Sequence, residues 1–365
     1  MKKKINVGIL FGGKSAEHEV SIQSAKNIYE AIDKSKYHVT LIGISKQGQW
    51  HLDNSFAQGV IPSQVEHSEN PKKILALVMG TGEKQLVTLN GTNPVEKLDV
   101  IFPVLHGPFG EDGTVQGLLK LANIPFVGAG VVGSAVGMDK DVMKRLLRDA
   151  QLPNAKHLLL YKYTGGDPNP SYGEIVDQLG LPFFVKPANM GSSVGISKVN
   201  NEEEFKQAVT EAFKYDHKLI VEKNIVGREI ECSVLGNENP IASLPGEIIN
   251  RHSFYSYEAK YIDENGAILD IPAKLSPDII EKVQQVAIKT YRVLCCEGLA
   301  RVDVFVTDEG EVLVNEINTL PGFTKISMYP KLWEVSGISY TELIDRLIHL
   351  ALEKHQKDKA LKTTI

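Results

Sequence analysis

The chain has 365 residues, 42% of them hydrophobic and 23% charged, with a formal net charge of −5. That length suits two or three modest domains, and the composition is that of an ordinary soluble protein. The mild acidity and the lack of a long basic tract argue against nucleic acid or an anionic membrane as partner.

The N-terminus, Met1-Lys2-Lys3-Lys4 and then Ile5–Phe11, begins like a signal peptide. Its apolar stretch is short and broken by Gly8, so a buried first strand is the better reading. No apolar run approaches ~18 residues, and no membrane span is expected. Val7–Phe11 reads as a strand running into Gly12-Gly13-Lys14-Ser15. A helix from Val20 to Ile32 and a strand Val39–Ile44 follow. Residues 45–95 are polar and irregular, with one hairpin near Leu75–Leu89. Strand Val100–Leu105 leads through His106-Gly107 to a helix Thr114–Ala122. This strand–helix rhythm predicts a parallel sheet wrapped by helices over residues 1–128.

A second unit, residues 129–222, carries a helix Met138–Ala150, a strand Phe183–Pro187 and a glycine-rich loop Asn189–Gly195. Strand Ile196–Val199, helix Glu202–Lys214 and strand Leu219–Glu222 complete it as an α+β unit. The third unit, 223–365, has strands Glu229–Leu235, Arg301–Val306 and Val312–Ile317. Its long helices are Pro277–Leu294 and Tyr340–Glu353, and its tail is expected to fray. Three cysteines, Cys232, Cys295 and Cys296, are an odd set with two adjacent. They form neither a disulfide framework nor a zinc-ligand spacing. A reducing, cytoplasmic location fits, with all three as packing residues.

Chemistry concentrates in four segments. The first is the pair of strands around Thr307-Asp308-Glu309-Gly310. With Glu309-Gly310 as a two-residue loop, Asp303 falls opposite Glu316 and Arg301 opposite Asn318. Paired residues share a face, as do residues two apart along a strand. Two acids on one face repel unless a cation lies between them. Asp, Glu and Asn are hard oxygen ligands, a set that suits Mg²⁺ with nucleotide phosphates. A solvated strand face held by Arg301 is the structural alternative.

The second segment is Lys186-Pro187-Ala188-Asn189-Met190-Gly191-Ser192-Ser193-Val194-Gly195. Small residues let backbone N–H groups approach phosphate oxygens, and the hydroxyls of Ser192 and Ser193 add donors. The P-loop pattern is absent. The third is Val221-Glu222-Lys223-Asn224-Ile225 with Gly227-Arg228-Glu229, at a junction where clefts form. The fourth is Gly12–Ser21, at the carboxyl edge of the first strand, where open α/β sheets bind ligands. Glu17 there could hold an ammonium group, His18 reads as a surface residue, and His106 ends a strand on the same edge.

Together these segments resemble the D-alanine–D-alanine ligase family over essentially the whole chain. The matching stretches are Gly12–Ser21, Leu105–Gly113, Met138–Lys140, Lys186–Gly195, Glu222–Glu229, Glu258–Tyr261, Ala300–Val304 and Asn315–Gly322. Residues 45–95 look like the longer form of that family. The resemblance implies a three-domain ATP-grasp fold, α/β and α+β, with an N-terminal parallel α/β domain. ATP would lie between the central and C-terminal domains. Lys140, Lys186 and Ser193 would meet its phosphates, Glu222, Lys223 and Ile225 its adenine, and Glu229 its ribose. Asp303, Glu316 and Asn318 would hold two Mg²⁺, with Mn²⁺ as an alternative and a monovalent cation as a further candidate.

By the same resemblance Glu17 would bind the first D-alanine's ammonium, with His106 beside its carboxylate. Ser327, Met328 and Lys260 would serve substrate, and Arg301 and the Gly322 N–H would stabilise charge on the reacting carbonyl. Glu17, Ser192 and Tyr261 would join when the loop Phe254–Tyr261 closes. The implied reaction is two-step: an acyl phosphate forms on the first D-alanine, and the second D-alanine's amine displaces phosphate. It demands positioning and exclusion of water rather than a protein nucleophile. A homodimer is also implied. Rival readings are a D-alanine–D-lactate ligase, against which Tyr261 argues, and a nucleotide-binding regulator without turnover, against which the intact Arg301, Asp303, Glu316 and Asn318 argue.

Overall fold

The structure is a computed structural model, and it describes residues 3–53, 55–56, 65–66, 74–79, 85–89, 95–163, 165, 168–250 and 267–362. The first unit holds β1 (Ile5–Gly12), α1 (His18–Ala31), β2 (Tyr37–Ile44), β3 (Trp50–Leu52), β4 (Leu75–Leu77), β5 (Leu86–Thr88), β6 (Val100–Val104) and α2 (Thr114–Leu121). Its sheet has the order β3-β2-β1-β6, with β1 parallel to β2 and β6. β1 is buried from Asn6 onward, as expected of a continuous apolar run covered on both faces. β3 is an antiparallel edge strand that sequence reading did not anticipate, and β4 and β5 form the expected hairpin.

The second unit holds α3 (Val131–Met138), α4 (Lys140–Asp149), β7 (His157–Tyr161), α5 (Tyr172–Leu179), β8 (Phe183–Pro187), β9 (Ser197–Val199), α6 (Glu202–Ala212) and β10 (Lys218–Lys223). Its sheet is antiparallel, in the order β7-β10-β8-β9. The third holds β11 (Arg228–Gly236), β12 (Ile241–Ala242), β13 (Gly246–Asn250), β14 (Ala267–Asp270), α7 (Pro277–Val293), β15 (Gly298–Val306), β16 (Val312–Asn318), α8 (Met328–Val335) and α9 (Tyr340–Lys359). Its sheet runs β14-β13-β11-β15-β16, with β12 on β11.

Two apolar cores tie these pieces together across the chain order. Helix α4 buries Met143 and Leu147, one turn apart, into the core of the third sheet beside Val283, Ala287 and Tyr291 of α7. Helices α8 and α9 bury Tyr329, Trp333, Leu343, Ile344, Leu347 and Ile348 against the N-terminal sheet. The central sheet has its own core around Phe183, Val185 and Leu219. The cleft between the sheets is therefore walled by segments distant in sequence.

Three expectations change. Helix α9 runs through Lys359 where fraying was expected, because Lys357 bonds Glu353 at 2.6 Å and Glu238 at 2.8 Å. His18 is fully buried, not on the surface: Nδ1 meets the Gly13 carbonyl at 2.6 Å, and Nε2 accepts the Val65 N–H at 2.9 Å. Cys232 and Cys296 are buried, but Cys295 is exposed with φ of 53° at the end of α7. Burial pushes the Cys232 thiol up to about 12, which keeps it inert.

Candidate active site

The β15–β16 pair supplies the site's acids. Asp303 lies opposite Glu316 and Arg301 opposite Asn318, as the sequence predicts. The route to that register differs. Near the turn Val306 pairs with Val312 and Thr307 accepts the Gly310 N–H at 2.9 Å, so three residues, not two, close the loop. Gly310, with φ of 74°, takes its left-handed position. A one-residue shift between Asp303 and Val304 then restores the pairing. Bulges of this kind re-aim side chains beside active sites.

Arg301 grips Asp303 with two bonds of 2.7 Å, and its Nε lies 2.9 Å from Glu231 Oε2 on β11. Asn318 Nδ2 donates to Asp303 at 3.0 Å. Lys140 Nζ sits 3.5 Å from Glu316 Oε2 and donates to the Met190 carbonyl at 2.7 Å. Asp139 sets this up locally. It caps α4 by accepting from the Asp141 and Val142 N–H groups, so Lys140 opens the helix facing the acids.

The glycine-rich loop descends from β8. Asp216 holds its start by accepting the Asn189 N–H at 2.8 Å. Ser192 and Ser193 both have positive φ, 52° and 61°. Two successive non-glycine residues in that region carry strain of the kind found at ligand clamps, and such turns aim N–H groups at anions. Gly191 lies so near the first sheet that a Cβ on it would stand 3.8 Å from Glu17 and from Glu111. Between the loop and the hairpin is a cavity of about 20 Å³, lined by Glu111, Met138, Lys140, Gly191, Glu316 and Asn318. That is room for about one water.

Below the loop Glu222 is buried between two lysines. Lys186 Nζ lies 2.5 Å from one oxygen, and Lys144 of α4 meets the other. Burial acts to raise the Glu222 pKa, but Lys144 and Lys186 outweigh it and hold the group at about 2. A carboxylate depressed this way contributes its full stability above its ordinary value of 4.5, and loses it as pH falls toward 2. Breaking a buried pair strands the partner charge. Glu222→Gln is expected to lower the unfolding free energy by roughly 3 kcal/mol at pH 7. Urea denaturation curves measure it, and a change below about 0.5 kcal/mol would mean the pair adds nothing.

Toward the N-terminal sheet, Glu17 occupies the N-cap position of α1, makes no side-chain cap bond there, and is buried. His106 Nδ1 meets the Leu320 carbonyl at 2.9 Å, while its buried Nε2 has no hydrogen-bond partner among the described residues. Glu111 accepts the Gly107 N–H at 2.9 Å, and burial together with nearby Glu17 pushes it up to about 8. Gly322 stands where a Cβ would meet Ser327 Oγ at 3.0 Å. Ser327 Oγ in turn accepts from the Thr324 N–H at 3.0 Å, and Ser327 takes the N-cap position of α8 without a side-chain cap bond.

The structure thus brings together Lys140, Lys186, Glu222, Arg301, Asp303, Glu316 and Asn318, with Glu229 acting on Lys186 electrostatically. Lys223 is exposed at the end of β10, and its N–H bonds the Lys156 carbonyl at 2.9 Å. Ile225 follows in the partly buried turn after it. Met328 buries its side chain against Ile248 and Leu332, leaving backbone at the head of α8 for any ligand. Lys260, Tyr261 and the whole loop Phe254–Tyr261 lie outside the described residues. Sequence reading missed Lys144, Glu231 and Glu111. Lys144 had a usable signal, since it stands one helical turn after Lys140; Glu231 is found only through cross-strand pairing.

The donor set fits a hard divalent cation. Asp303 and Glu316 face each other with the Asn318 amide beside them. Among the described residues no three His, Cys, Asp or Glu side chains gather as ligands. A partial oxygen set of this kind matches Mg²⁺, which takes few protein ligands and completes its shell with phosphate and water.

Two antiparallel α+β units facing each other, with a parallel α/β domain alongside, are the architecture of an ATP-grasp ligase. Residues 6–129 match the family "D-ala D-ala ligase N-terminus" and residues 146–349 match "D-ala D-ala ligase C-terminus". A D-alanine–D-alanine ligase of Oceanobacillus iheyensis is 57% identical over 100% of this chain and 99% of its own. The solved D-alanine–D-alanine ligase of Coxiella burnetii is 41% identical, with a TM-score of 0.85 over 98% of this chain and 96% of that one. A D-Ala:D-Ser ligase of Enterococcus faecalis is 34% identical, with a TM-score of 0.84 over 96% and 100%. The chain belongs to the D-alanine–D-alanine ligase family.

Proposed function

We propose how this chain's residues carry out the family's reaction, the ATP-dependent joining of two D-alanines for peptidoglycan synthesis. The observation that carries the reading is the pairing of Asp303 with Glu316 beside Lys140, facing the strained serine loop. Lys140 and Lys186 take the ATP phosphates under the N–H groups of Ser192 and Ser193. Both Glu222 oxygens are engaged by lysines, so the backbone of Glu222–Ile225 reads the adenine, and Glu229 takes the ribose. Asp303, Glu316 and Asn318 hold two Mg²⁺, which neutralise phosphate charge when bound.

Glu17 holds the first D-alanine's ammonium, and His106 Nε2, without a hydrogen-bond partner among the described residues, turns toward its carboxylate. That carboxylate attacks the γ-phosphate, giving acyl phosphate and ADP. The second D-alanine's carboxylate sits at the head of α8 near Ser327, where helix N–H groups favour an anion. Its amine, once deprotonated, attacks the acyl carbonyl and phosphate leaves. Arg301 and the Gly322 N–H stabilise the charge on that carbonyl oxygen. Lys260 and Tyr261 close over the intermediate with Glu17 and Ser192. The division at 128 and 222 into three domains, a homodimeric assembly and a cytoplasmic location complete the proposal. No helix among the described residues is long and apolar enough to cross a membrane.

The test is ADP and phosphate release with D-alanine, D-lactate and D-serine, singly and mixed, with products separated. D-alanine alone is expected to support turnover and the dipeptide to dominate every mixture. A dominant ester or D-alanyl-D-serine product would overturn the choice of second substrate. Tyr261→Phe is expected to reduce dipeptide synthesis only about fivefold, the worth of one hydrogen bond, and to raise the ester share. An unchanged product ratio would remove Tyr261 from specificity.

A further inference from the structure

Lys144 has no role in the chemistry described above, yet it is the most deeply buried cation near the site. Its side chain is 2% exposed, and it meets a Glu222 carboxylate that is 4% exposed. It follows Lys140 by four residues, so the two lysines share one face of α4. Lys140 reaches Glu316 on β16, and Lys144 reaches Glu222 on β10. Glu222 is thus divided between two cations, Lys144 on one oxygen and Lys186, 2.5 Å away, on the other.

This division poses a problem for nucleotide binding. Lys186 serves ATP only if its ammonium leaves Glu222 for the phosphates. A buried carboxylate that loses its only cation is strongly disfavoured. With Glu222 alone as partner, Lys186 would be held back from substrate by the charge it would strand. A second cation that never leaves removes this penalty. Lys144 is suited to stay: it is buried, one turn inside a helix that packs Met143 and Leu147, beside the two lysines, into the apolar core. Lys186 is the more exposed of the two at 13% and lies at the mouth of the serine loop.

We propose that Lys144 is a positioning residue for ATP: it keeps Glu222 neutralised so that Lys186 is free to move onto the phosphates. The inference rests on the reading that Lys186 contacts ATP. Glu316 and Glu229 also act on Lys186 electrostatically and favour its charged form.

Steady-state kinetics of Lys144→Met, Glu222→Gln, the double variant and Lys186→Met form the test. Lys144→Met is expected to raise the KM for ATP about tenfold, equivalent to about 1.4 kcal/mol, while the KM for D-alanine changes less than about twofold. The double variant is expected to match Glu222→Gln alone, since a neutral amide no longer holds Lys186. A purely structural role for Lys144 would move both KM values together or lower only the yield of folded enzyme. If the double variant loses as much ATP affinity as Lys144→Met, Lys144 is itself a phosphate ligand and the proposal fails. An unchanged KM for ATP in Lys144→Met overturns it as well. Lys186→Met tests the underlying reading separately: an unchanged KM for ATP there removes Lys186 from the nucleotide site whatever Lys144 does. Should Lys144→Met not fold, Lys144→Arg keeps the charge and is expected to hold the KM for ATP within about twofold. A tenfold rise in Lys144→Arg would overturn the proposal.

Discussion

Glu316→Gln is expected to lose at least about 100-fold in turnover while the protein stays folded. The carboxylate faces Asp303 across β15 and β16 and lies 3.5 Å from Lys140. Replacing it by an amide keeps the shape and removes one of two negative charges that a divalent cation needs at that position. It also leaves Lys140 without its acidic neighbour, so nucleotide affinity need not fall in step with turnover. The side chain is 27% exposed, so its charge contributes little to stability and the variant should melt within a few degrees of wild type. The measurements are kcat across a Mg²⁺ titration and a thermal melt. A requirement for more Mg²⁺ that restores full turnover at saturation would assign Glu316 to metal affinity alone. Turnover within tenfold of wild type at every Mg²⁺ concentration would remove Glu316 from the site.

The register behind this prediction illustrates what the sequence could convey. Alternation along two strands places Asp303, Glu316, Arg301 and Asn318 on one face whenever the loop parity is right. The assumed two-residue turn was one residue short, and the shift beside Asp303 compensated for it. Pattern reading does not see a bulge, because an extra residue changes no local propensity. Helices with an apolar stripe, such as α4 and α7, were legible for the same reason that strands were. Helix α3 was not: it carries Gly133 and Gly137, which disfavour a helix locally. Their reason is tertiary, since a Cβ on Gly133 would stand 2.4 Å from the Cys295 carbonyl oxygen and one on Gly137 2.9 Å from Thr319. His18 was misread as a surface residue because its partner, the Val65 N–H, comes from 47 positions away. The Lys144–Glu222–Lys186 cluster was hidden similarly. Each residue was visible, but only the packing of α4 under β8 and β10 makes them one group.

Arg301→Ala is expected to lower turnover by on the order of 100-fold, about 3 kcal/mol, with a much smaller change in ATP affinity. Its guanidinium is planar and forked, and here it spans two acids, Asp303 at 2.7 Å and Glu231 at 2.9 Å. Burial works against its charge, but Asp303 and Glu231 outweigh that and raise its pKa. The residue is therefore a permanent cation fixed beside the metal ligands, able to offer a donor to the carbonyl oxygen when charge develops there. Alanine removes that donor and also leaves Glu231, 5% exposed, without its cation. Two effects are thus superimposed, and a second substitution separates them. Arg301→Lys restores a positive charge near Glu231 but cannot span both acids and the substrate, because an ammonium is a compact point charge. Stability is expected to recover in Arg301→Lys while turnover stays at least tenfold below wild type. The readouts are urea denaturation, ATP affinity by direct titration, and kcat with both D-alanine sites saturated. If lysine restores stability and turnover together, the arginine serves only to neutralise Glu231 and Asp303, and the carbonyl's charge is stabilised by the Gly322 N–H and the metal site without it.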